Sequence, residues 1–380
     1  MNVGLDRVEK GLENIAIKET RLSSIDGEQG KLYYVGYPIE ELAEYSSYEE
    51  VCFLLLNGRL PTKDELRNFS ATLVSERHLP PQVIDILRRL PRNAPLMSWL
   101  KTGVDLLSLF DADAEKTDDE SRMRTATRLI SRIATLTATS YRLARGLEPV
   151  EPRADLSHAG NFLYMATGNK PSSLEEKIMD VAFILHAEHE LPASTTAALV
   201  VASTLSDLYS AVAAGIGALK GPLHGGANEK ALEMLQAIKS PEIAEEYVAN
   251  ELAAKRRIMG FGHRVYRSFD PRARIFKRYL EQLSERRGDK TLLQVAEAVE
   301  KAMMKYMSGK NIFPNIDLYS GPVFHLLGLG KEIFTPFFAS ARTVGWIAHV
   351  LEYWKENRLI RPRAVYVGPE PRSYIPLDKR

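Results

Sequence analysis

The stretch that decides the fold of this chain is GFGHRVYRSFDPR, at residues 260–272. Two glycines precede His263 and let the backbone approach a ligand closely, because glycine has no Cβ. Three arginines follow within the same stretch, and a guanidinium binds a carboxylate through two parallel hydrogen bonds. The stretch therefore favours a site for a small anionic ligand. A histidine in an ordinary turn is the alternative that these residues leave open.

A second histidine stands in a turn further towards the N-terminus, in GPLHGGANEK at residues 221–230. The residues after it, ANEKALEMLQAIK, have helical periodicity, so His224 comes at or just before a helix N-terminus. The positive end of a helix dipole disfavours imidazolium, and we therefore expect a neutral ring that donates a hydrogen bond. A histidine in a surface loop is the alternative.

Asp317 lies in a bend rich in asparagine and proline, NIFPNIDLYSGP, at residues 311–322. It is either a reactive carboxylate or the cap of the helix that follows. A carboxylate with two histidines supplies one base and two proton donors. That set is enough to remove a proton beside one carbonyl and to polarise a second carbonyl. The inventory favours enol chemistry or acyl transfer on a substrate with several carboxylates.

Two further contexts stand out. The stretch HAEHELPAST, at residues 186–195, places His186 and His189 three residues apart on a helix. A metal pair is one interpretation, but the further ligands would have to come from elsewhere, and we expect no metal. Arg342 lies in an apolar helix, where a buried cation requires either a structural carboxylate or an anionic ligand. No nucleotide-binding motif is present, and we expect no cofactor.

The composition excludes several classes of protein. The chain has 380 residues, a net charge of +1, 45% hydrophobic and 26% charged residues, which gives no reason to expect binding to nucleic acid or to a membrane surface. The single cysteine, Cys52, rules out an internal disulfide and suits the cytoplasm. The N-terminal residues show no apolar secretory segment. The apolar stretch 193–219 carries Asp207 near its middle, and we interpret it as a buried helix or helix pair at a subunit interface.

The periodicity predicts a mainly α-helical fold. Residues 18–38 predict a small β-hairpin, and RAVYVG, at residues 363–368, predicts a second one. Thr62 and Glu65 form the pattern of a capping box at the start of a helix, and Gly58 marks the end of the preceding one. Clusters of glycine and proline between residues 221 and 330 predict a smaller lobe that joins the main body at both ends.

At these segments the sequence resembles the citrate synthase family, of the compact archaeal and bacterial type. GFGHRVYRSFDPR matches a signature of the family, GPLHGGAN its catalytic-histidine turn and PNIDLYSG its catalytic-aspartate loop; the likeness covers about residues 9–380. Val35 departs from the basic residue that is frequent in the hairpin of the family. The resemblance implies a two-lobed helical fold with a large lobe, residues 1–222 and 330–380, at a dimer interface. The small lobe, residues 223–329, is then mobile and lies on the CoA side.

The resemblance also implies the roles of single residues in condensing acetyl-CoA with oxaloacetate, a step of the tricarboxylic acid cycle. Asp317 removes a methyl proton from acetyl-CoA, His224 donates to the thioester oxygen, and His263 activates the ketone; citryl-CoA is then hydrolysed. The residues implied for oxaloacetate are His189, Arg272, Arg342 and, from the neighbouring subunit of a homodimer, Arg361. Those implied for CoA are Ile258, Gly260, Gly262, Arg267 and Lys310.

Two alternatives remain at this level. The sister activity, 2-methylcitrate synthase, uses propionyl-CoA with the same residues, alone or as a dual specificity, and one methylene changes a rate by only about 10–200-fold. A catalytically silent helical binding protein on the same fold is the other. All three implied catalytic residues are present, which argues against it.

Overall fold

The computed structural model of the protein describes residues 8–12 and 15–380. The sheet near the N-terminus has three antiparallel strands in sequential order, β1 (Ser23–Asp26), β2 (Lys31–Tyr34) and β3 (Tyr37–Pro38). The hairpin predicted at residues 18–38 is therefore confirmed. Residues 1–7, in which the sequence predicts no secretory leader, lie outside the described residues.

Helices make up most of the remaining chain. Ten precede residue 220: α1 (Ile39–Tyr45), α2 (Tyr48–Asn57), α3 (Lys63–Ser75), α4 (Pro81–Leu87), α5 (Leu96–Ser108), α6 (Asp119–Ala144), α7 (His158–Thr167), α8 (Ser173–His186), α9 (Ala193–Ala202) and α10 (Leu208–Leu219). Six follow within the described part: α11 (Ala227–Ile238), α12 (Ala244–Ala253), α13 (Pro271–Arg287), α14 (Thr291–Tyr306), α15 (Asp317–Leu326) and α16 (Phe334–Trp354).

Local signals set several of these helix ends. The capping box before α3 is confirmed, because Glu65 N–H donates to Thr62 Oγ1 and Thr62 N–H donates to Glu65 Oε2, at 3.3 and 2.8 Å. Helix α2 ends at Asn57 and is followed by Gly58, whose φ of 71° places it in the left-handed region that glycine adopts without strain. The predicted mainly α-helical class is confirmed.

The apolar stretch 193–219 forms the helix pair α9 and α10, which pack against each other. Asp207, the acid in the middle of the stretch, caps α10 by accepting the N–H of Ser210 at 2.9 Å. Its charge is thus explained by a helix boundary. Over residues 8–12 and 15–380, no helix combines the length and apolarity needed to cross a bilayer.

The centre of the core is α16, which packs against α6, α8, α9 and α10. Trp346, on this helix, is fully buried. Beyond α16 the chain has no strand up to residue 380, so the second hairpin predicted at residues 363–368 is wrong. Four prolines follow residue 360, and proline cannot donate to a strand ladder.

The predicted boundaries of the two lobes, at residues 222/223 and 329/330, remain a prediction. Helices α11–α15 lie within residues 223–329, and the remaining helices lie in the larger predicted part. Three helices carry the candidate site at one of their ends: α8 at its C-terminus, and α13 and α15 at their N-termini.

Candidate active site

Two loops from separate parts of the sequence are joined at the site. The histidine loop (residues 258–265) and the aspartate loop (residues 312–317) pair through an antiparallel bridge between Phe261 and Pro314. Asn315 Nδ2–H also donates to the carbonyl of Gly262 at 2.8 Å. The backbone itself therefore brings together the segments that carry His263 and Asp317.

Gly260 makes this close pairing possible. Its φ is +82°, and a Cβ at this position would lie 2.7 Å from the Cβ of Leu318. Its carbonyl accepts the N–H of Asn315 at 2.9 Å. Gly262 has a φ of +80°, but a Cβ added there would meet no atom within 4 Å among the described residues. Only the first glycine is required by packing, whereas both are required by backbone conformation.

His263 is held in one tautomer by its own loop. The Nδ1 atom accepts the backbone N–H groups of Val265 and Tyr266, at 3.0 and 3.2 Å. Because a backbone N–H only donates, Nδ1 is unprotonated and the ring proton resides on Nε2. Burial, followed by the positive charge of Arg272, lowers the pKa of His263 to about 4. At neutral pH the ring is an uncharged hydrogen-bond donor through Nε2.

His224 is held in the other tautomer. Its Nε2 atom faces Ser194 and accepts the backbone N–H at 3.3 Å and the hydroxyl at 2.8 Å. Trp346 Nε1–H donates to the same hydroxyl oxygen at 3.2 Å, which directs the hydroxyl proton towards the imidazole. The ring proton of His224 therefore resides on Nδ1.

The neutral state expected for His224 is confirmed, but its main cause differs from the expected one. Burial is the largest influence and Arg342 the second, and they lower the pKa of His224 to about 4. The helix expected to act through its dipole, α11, begins at Ala227. Desolvation of imidazolium therefore accounts for most of the lowered pKa of His224.

Asp317 is the first residue of α15 and does not cap it. The residue at the cap position is Ile316, with no side-chain cap hydrogen bond, so the capping interpretation is wrong. The N–H of Asp317 instead donates to Asn315 Oδ1 at 2.9 Å. Burial raises the pKa of Asp317 to about 6; nearby Asp270 adds to this rise and Arg272 opposes it. The carboxyl group of Asp317 therefore keeps its proton to a higher pH than an exposed aspartate does.

Arg272 has a carboxylate partner that the sequence reasoning missed. Its Nε and Nη2 donate to the two oxygens of Asp270 at 2.9 and 2.8 Å, and both side chains are buried. Asp270 also caps α13 and accepts the N–H of Ile316 at 3.3 Å. The Asp-Pro-Arg sequence of the quoted stretch is therefore a helix start that links the two loops.

Arg342 is buried, with 1% of its surface exposed. Its Nε donates to the carbonyl of His186 at 2.6 Å, and its guanidinium lies 4.8 Å from the ring centre of Phe338. In the described part of the chain no carboxylate lies within 4.0 Å of it, and burial lowers its pKa to about 10, against the opposing influence of Glu188. Of the two partners expected for Arg342, a structural carboxylate is therefore not found at ion-pair distance among the described residues. This favours the other one, an anionic ligand.

His189 completes a cluster of rings with His263 and Tyr266. Its ring centre lies 5.2 Å from that of His263, and its Nε2 shares a hydrogen bond of 3.2 Å with the hydroxyl of Tyr266. Burial, followed by Arg272, places the pKa of His189 well below its usual value. The imidazole of His189 is thus neutral, and the two buried arginines that act on it are Arg272 and Arg342.

The other residues named from the sequence lie at the edge of the site or outside it. Ile258 and Gly260 are buried, whereas Arg267 and Lys310 are exposed. Arg361 lies in the exposed segment after α16 and forms no hydrogen bond or ion pair with the residues described. The structure of a single chain therefore does not bring Arg361 into the site.

The ring of His186, considered above as one of a pair of metal ligands, is held by a hydrogen bond within its own helix. Its Nδ1 bonds to the carbonyl of Ala182 at 2.8 Å inside its own helix. Over the described ranges, no three His, Cys, Asp or Glu side chains are grouped closely enough to hold a metal ion.

Two residues that orient histidines of the site, Ser194 and Tyr266, were not predicted from the sequence, although both lie in stretches that stand out there.

The fold and the site together define an acid–base enzyme of mainly helical architecture. The joined loops carry His263 and Asp317, whose pKa values are about 4 and about 6, and Arg342 acts on the second neutral histidine, His224. Buried arginines beside them suit a small anionic substrate.

Comparisons with known proteins identify the family. Residues 11–363 match the family model described as citrate synthase, C-terminal domain. A citrate synthase of Deinococcus radiodurans is 45% identical over 99% of this chain and 100% of its own length. One from Saccharolobus solfataricus is 46% identical over 98% of this chain and 99% of its own. The chain belongs to the citrate synthase family, and it is a transferase.

Solved structures agree in fold. The citrate synthase of Pyrobaculum aerophilum has a TM-score of 0.92 at 47% identity, and the match covers 97% of this chain and 95% of that one. The enzyme of Thermoplasma acidophilum, solved as a ternary complex with carboxymethyl coenzyme A and oxaloacetate, also has a TM-score of 0.92, at 40% identity over 98% of this chain and 100% of that one.

Proposed function

We propose that this chain condenses acetyl-CoA with oxaloacetate and hydrolyses the resulting citryl-CoA to citrate and CoA. The observation that carries the proposal is a set of three groups: two neutral histidines held in different tautomers and, on the loop paired with that of His263, a carboxylate of raised pKa. Membership of the citrate synthase family supports the same reaction. Each chemical step then has a residue of suitable protonation state.

The first step is removal of a proton from the methyl group of acetyl-CoA by the carboxylate of Asp317. The electron pair of the broken C–H bond moves towards the thioester oxygen, where Nδ1–H of His224 donates a hydrogen bond. A hydrogen bond from this neutral donor stabilises the negative charge that develops on the enolate oxygen, and a base with a pKa near 6 is ionised at neutral pH yet basic enough to assist. Preorganised donation of this kind is a major source of rate acceleration.

The second step forms the carbon–carbon bond. The enolate carbon attacks the ketone carbon of oxaloacetate, and His263 transfers its Nε2 proton to the ketone oxygen, which becomes the hydroxyl of citryl-CoA. Water then attacks the thioester carbonyl, and CoA leaves as the free thiol. The methyl proton taken by Asp317 restores the proton that His263 gives to the new hydroxyl, and water supplies the oxygen of the new carboxyl group and the proton of the thiol, so the balance requires only the two substrates and water.

Oxaloacetate has two carboxylates for the cations of the site. Arg342 is the buried cation of the site without an ion-paired carboxylate among the described residues, and we assign it to one of them. Arg272 keeps one terminal nitrogen beyond its pair with Asp270 for the same substrate. His189 lies beside His263 and is assigned to oxaloacetate as well.

A homodimer is proposed on the exposed C-terminal segment. Every residue from 361 to 380 is exposed, including apolar side chains such as Val367 and Tyr374, which are 91% and 79% exposed. Apolar groups left in water favour a covering partner. In a symmetric dimer the same segment of the second copy supplies Arg361 to the site of the first.

The CoA contacts are proposed for the outer edge of the histidine loop. Arg267 and Lys310 are exposed cations available to phosphate groups, and the backbone of residues 258–262 is available to the adenine ring. Movement of residues 223–329 against the rest of the chain would close the site and exclude water until citryl-CoA has formed.

We propose that the protein is located in the cytoplasm, since its only thiol, Cys52, is free and buried.

The test is release of free thiol from acetyl-CoA in the presence of oxaloacetate, with purified full-length protein. Omission of oxaloacetate should abolish the release, and citrate should appear in equal amount. A relative from Bacillus subtilis, 42% identical, is a citrate/2-methylcitrate synthase, so propionyl-CoA is assayed in parallel. A higher kcat/KM with propionyl-CoA, or thiol release without citrate, would overturn the assignment.

A further inference from the structure

A carboxylate that the proposed mechanism does not use lies beside Arg342. Glu188, in the segment after α8, has no solvent exposure. Its Oε1 accepts the hydroxyl of Ser23 at 3.0 Å and forms a hydrogen bond of 2.9 Å with Nε2 of His349. Its Oε2 is buried and has no hydrogen-bond partner among the described residues. A buried carboxylate with one unpartnered oxygen is costly, so a compensating charge is expected nearby.

The hydrogen bond from His349 to Glu188 is directed by Lys18. The ammonium of Lys18 lies 3.2 Å from Nδ1 of His349, and an ammonium group only donates. Nδ1 is therefore the acceptor, and the ring proton resides on Nε2, which donates to Glu188. Lys18 is itself paired with Glu352 at 2.5 Å. Oε1 of Glu188 is thus anchored by a chain of hydrogen bonds that leads towards the C-terminal end of α16.

Glu188 and Arg342 lie against the same point of α16, at Gly345. A Cβ at this position would collide with Oε2 of Glu188 and would lie 3.3 Å from Cδ of Arg342. The Nε of Arg342 also donates to the carbonyl of His186, two residues before Glu188, at 2.6 Å. The unpartnered oxygen of Glu188 is therefore close to the side chain of Arg342, although the two charged groups form no ion pair.

The other buried arginine of the site has its carboxylate in contact. Arg272 forms a two-point ion pair with Asp270, whereas the terminal nitrogens of Arg342 form no hydrogen bond with the described residues. All four side chains, those of Glu188, Asp270, Arg272 and Arg342, are buried. Their charges balance, but only one of the two pairs is closed.

The charge of Glu188 acts on Arg342 without contact. Burial would raise the pKa of Glu188, but His349, followed by Arg342 and Ser23, brings it below its usual value, so the carboxylate is ionised at neutral pH. In turn, Glu188 is the largest influence that opposes the effect of burial on the pKa of Arg342. Solvent screens buried charges poorly, so the attraction persists beyond contact distance. Glu188 therefore stabilises the guanidinium and leaves its terminal donors unoccupied.

We propose that Glu188 is a positioning residue for Arg342. Its carboxylate is the counter-charge of the guanidinium in the empty site, and His349 and Ser23 hold it out of contact, so that the terminal nitrogens stay available to a substrate carboxylate. This inference rests on the proposed function, because it takes oxaloacetate as the ligand of Arg342. A closed ion pair would have to be broken before oxaloacetate could bind, whereas the separated pair requires no such step.

Calorimetric titration of the full-length protein with oxaloacetate tests the counter-charge. Glu188→Gln keeps the size of the side chain and an acceptor oxygen but removes a negative charge close to the bound dianion. It should therefore lower the Kd for oxaloacetate by about fivefold or more, while the KM for acetyl-CoA changes by less than about twofold. A merely structural role predicts weaker binding. An unchanged or higher Kd would overturn the inference.

The matched control is Glu49→Gln, which alters another buried carboxylate, one that accepts the N–H of His158 at 2.7 Å. The Kd for oxaloacetate should stay within about twofold in this variant, because Glu49 is not among the residues of the site. A similar decrease in Kd for both variants would show that the effect is not specific to Glu188.

Thermal melting gives a second readout for Glu188→Gln. Without its counter-charge the buried guanidinium of Arg342 is costly in the empty site, so the variant should melt at a lower temperature than the unaltered protein. Saturating oxaloacetate supplies a carboxylate to Arg342 and should remove most of this difference. A difference that persists in full with oxaloacetate would indicate lost packing and would contradict the proposed role.

Release of the carboxylate tests how it is held. His349→Phe removes a donor to Oε1 and keeps an aromatic ring, so Glu188 becomes free to pair with Arg342 and to compete with oxaloacetate. The Kd should rise by about fivefold or more, opposite in sign to the effect of Glu188→Gln. In Glu188→Gln/His349→Phe no carboxylate remains to compete, and the rise should disappear. A rise of equal size in the double variant would refute the withheld contact.

Ser23→Ala serves where His349→Phe does not fold. It removes the other donor to Oε1 and should also raise the Kd for oxaloacetate; an unchanged or lower value would count against the inference. Titration needs no turnover, so oxaloacetate binding without citrate formation would overturn only the proposed function. Absence of oxaloacetate binding to the unaltered protein would overturn the role of Glu188.

Discussion

Ser194 presents both its backbone N–H and its hydroxyl to Nε2 of His224, at 3.3 and 2.8 Å. This relationship fixes the only proton of the neutral ring on Nδ1, although the two residues lie thirty positions apart. The orientation of an imidazole matters because the wrong tautomer presents a lone pair where a donor is needed. Ser194 is thus a positioning residue for His224.

We expect Ser194→Ala to lower kcat by about tenfold, which corresponds to one lost hydrogen bond of ordinary strength. The KM for oxaloacetate should be nearly unchanged, because the serine orients only the donor to the thioester. The neighbouring Thr195 is buried, and its hydroxyl has no partner among the described residues. Thr195→Val is therefore the control and should retain activity; a similar loss in both would indicate a packing role.

Asp317→Asn should reduce kcat by about 10²–10⁴-fold, because an amide cannot accept the methyl proton. Binding of oxaloacetate, measured by calorimetry, should remain within a few-fold of the unaltered protein. A parallel loss of binding and turnover would assign Asp317 a structural role instead.

The pH dependence follows from the raised pKa of Asp317. The base acts in its ionised form, so kcat/KM for acetyl-CoA should fall as pH decreases through about 6. His224 and His263 both have a pKa of about 4 and should add no break between pH 5 and 8. An acid limb near pH 4 would contradict the desolvated environment of the carboxylate.

Thermal melting provides an independent check on the same group. A folded-state pKa raised above the unfolded value contributes stability at low pH that is lost as pH rises through about 6. The amide introduced by Asp317→Asn is uncharged at every pH, so this variant should gain melting temperature relative to the unaltered protein at pH 8 and not at pH 4. An equal difference at both pH values would argue against the shift.

The two glycines of the histidine loop allow a matched pair of substitutions. Gly260→Ala and Gly262→Ala impose the same strain of positive φ, about 1 kcal/mol or more. Only Gly260→Ala also drives a methyl group to 2.7 Å from Leu318. We expect a larger fall in melting temperature and in kcat for Gly260→Ala; equal effects would show that packing against α15 is unimportant.

Mixed dimers test the assignment of Arg361 to the neighbouring site. Arg361→Gln and Asp317→Asn proteins, each inactive alone, should regain about a quarter of full activity when refolded together, since half of the dimers would contain one complete site. The control mixture is Asp317→Asn with His224→Ala, in which every site lacks one residue of its own chain. Recovery in the control, or none in the test mixture, would refute a shared site.

The parts of the fold that sequence predicts best are those with short-range causes. The capping box at Thr62 and the left-handed end at Gly58 depend on neighbours within a few residues, and both were predictable. The hairpin expected at residues 363–368 failed because β-propensity cannot supply a partner strand. A partner strand from a second chain could not be predicted either, because the local sequence pattern carries no information about residues of another chain.

The candidate site shows the same division. His224, His263 and Asp317 are conspicuous in the sequence because they lie in unusual turns. Their protonation states depend on tertiary burial and on partners such as Ser194, which no spacing rule connects to His224. The sequence predicted the neutral state of His224 from a helix dipole, whereas burial and then Arg342 lower its pKa in the structure.

The bridge between Phe261 and Pro314 has a consequence for attempts to alter specificity. The two loops that it joins form one mechanical unit, so a replacement of either loop by that of a relative would leave mismatched backbone partners. A chimera that retains activity must therefore take both loops from the same relative, so that the residues paired at the bridge come from one protein.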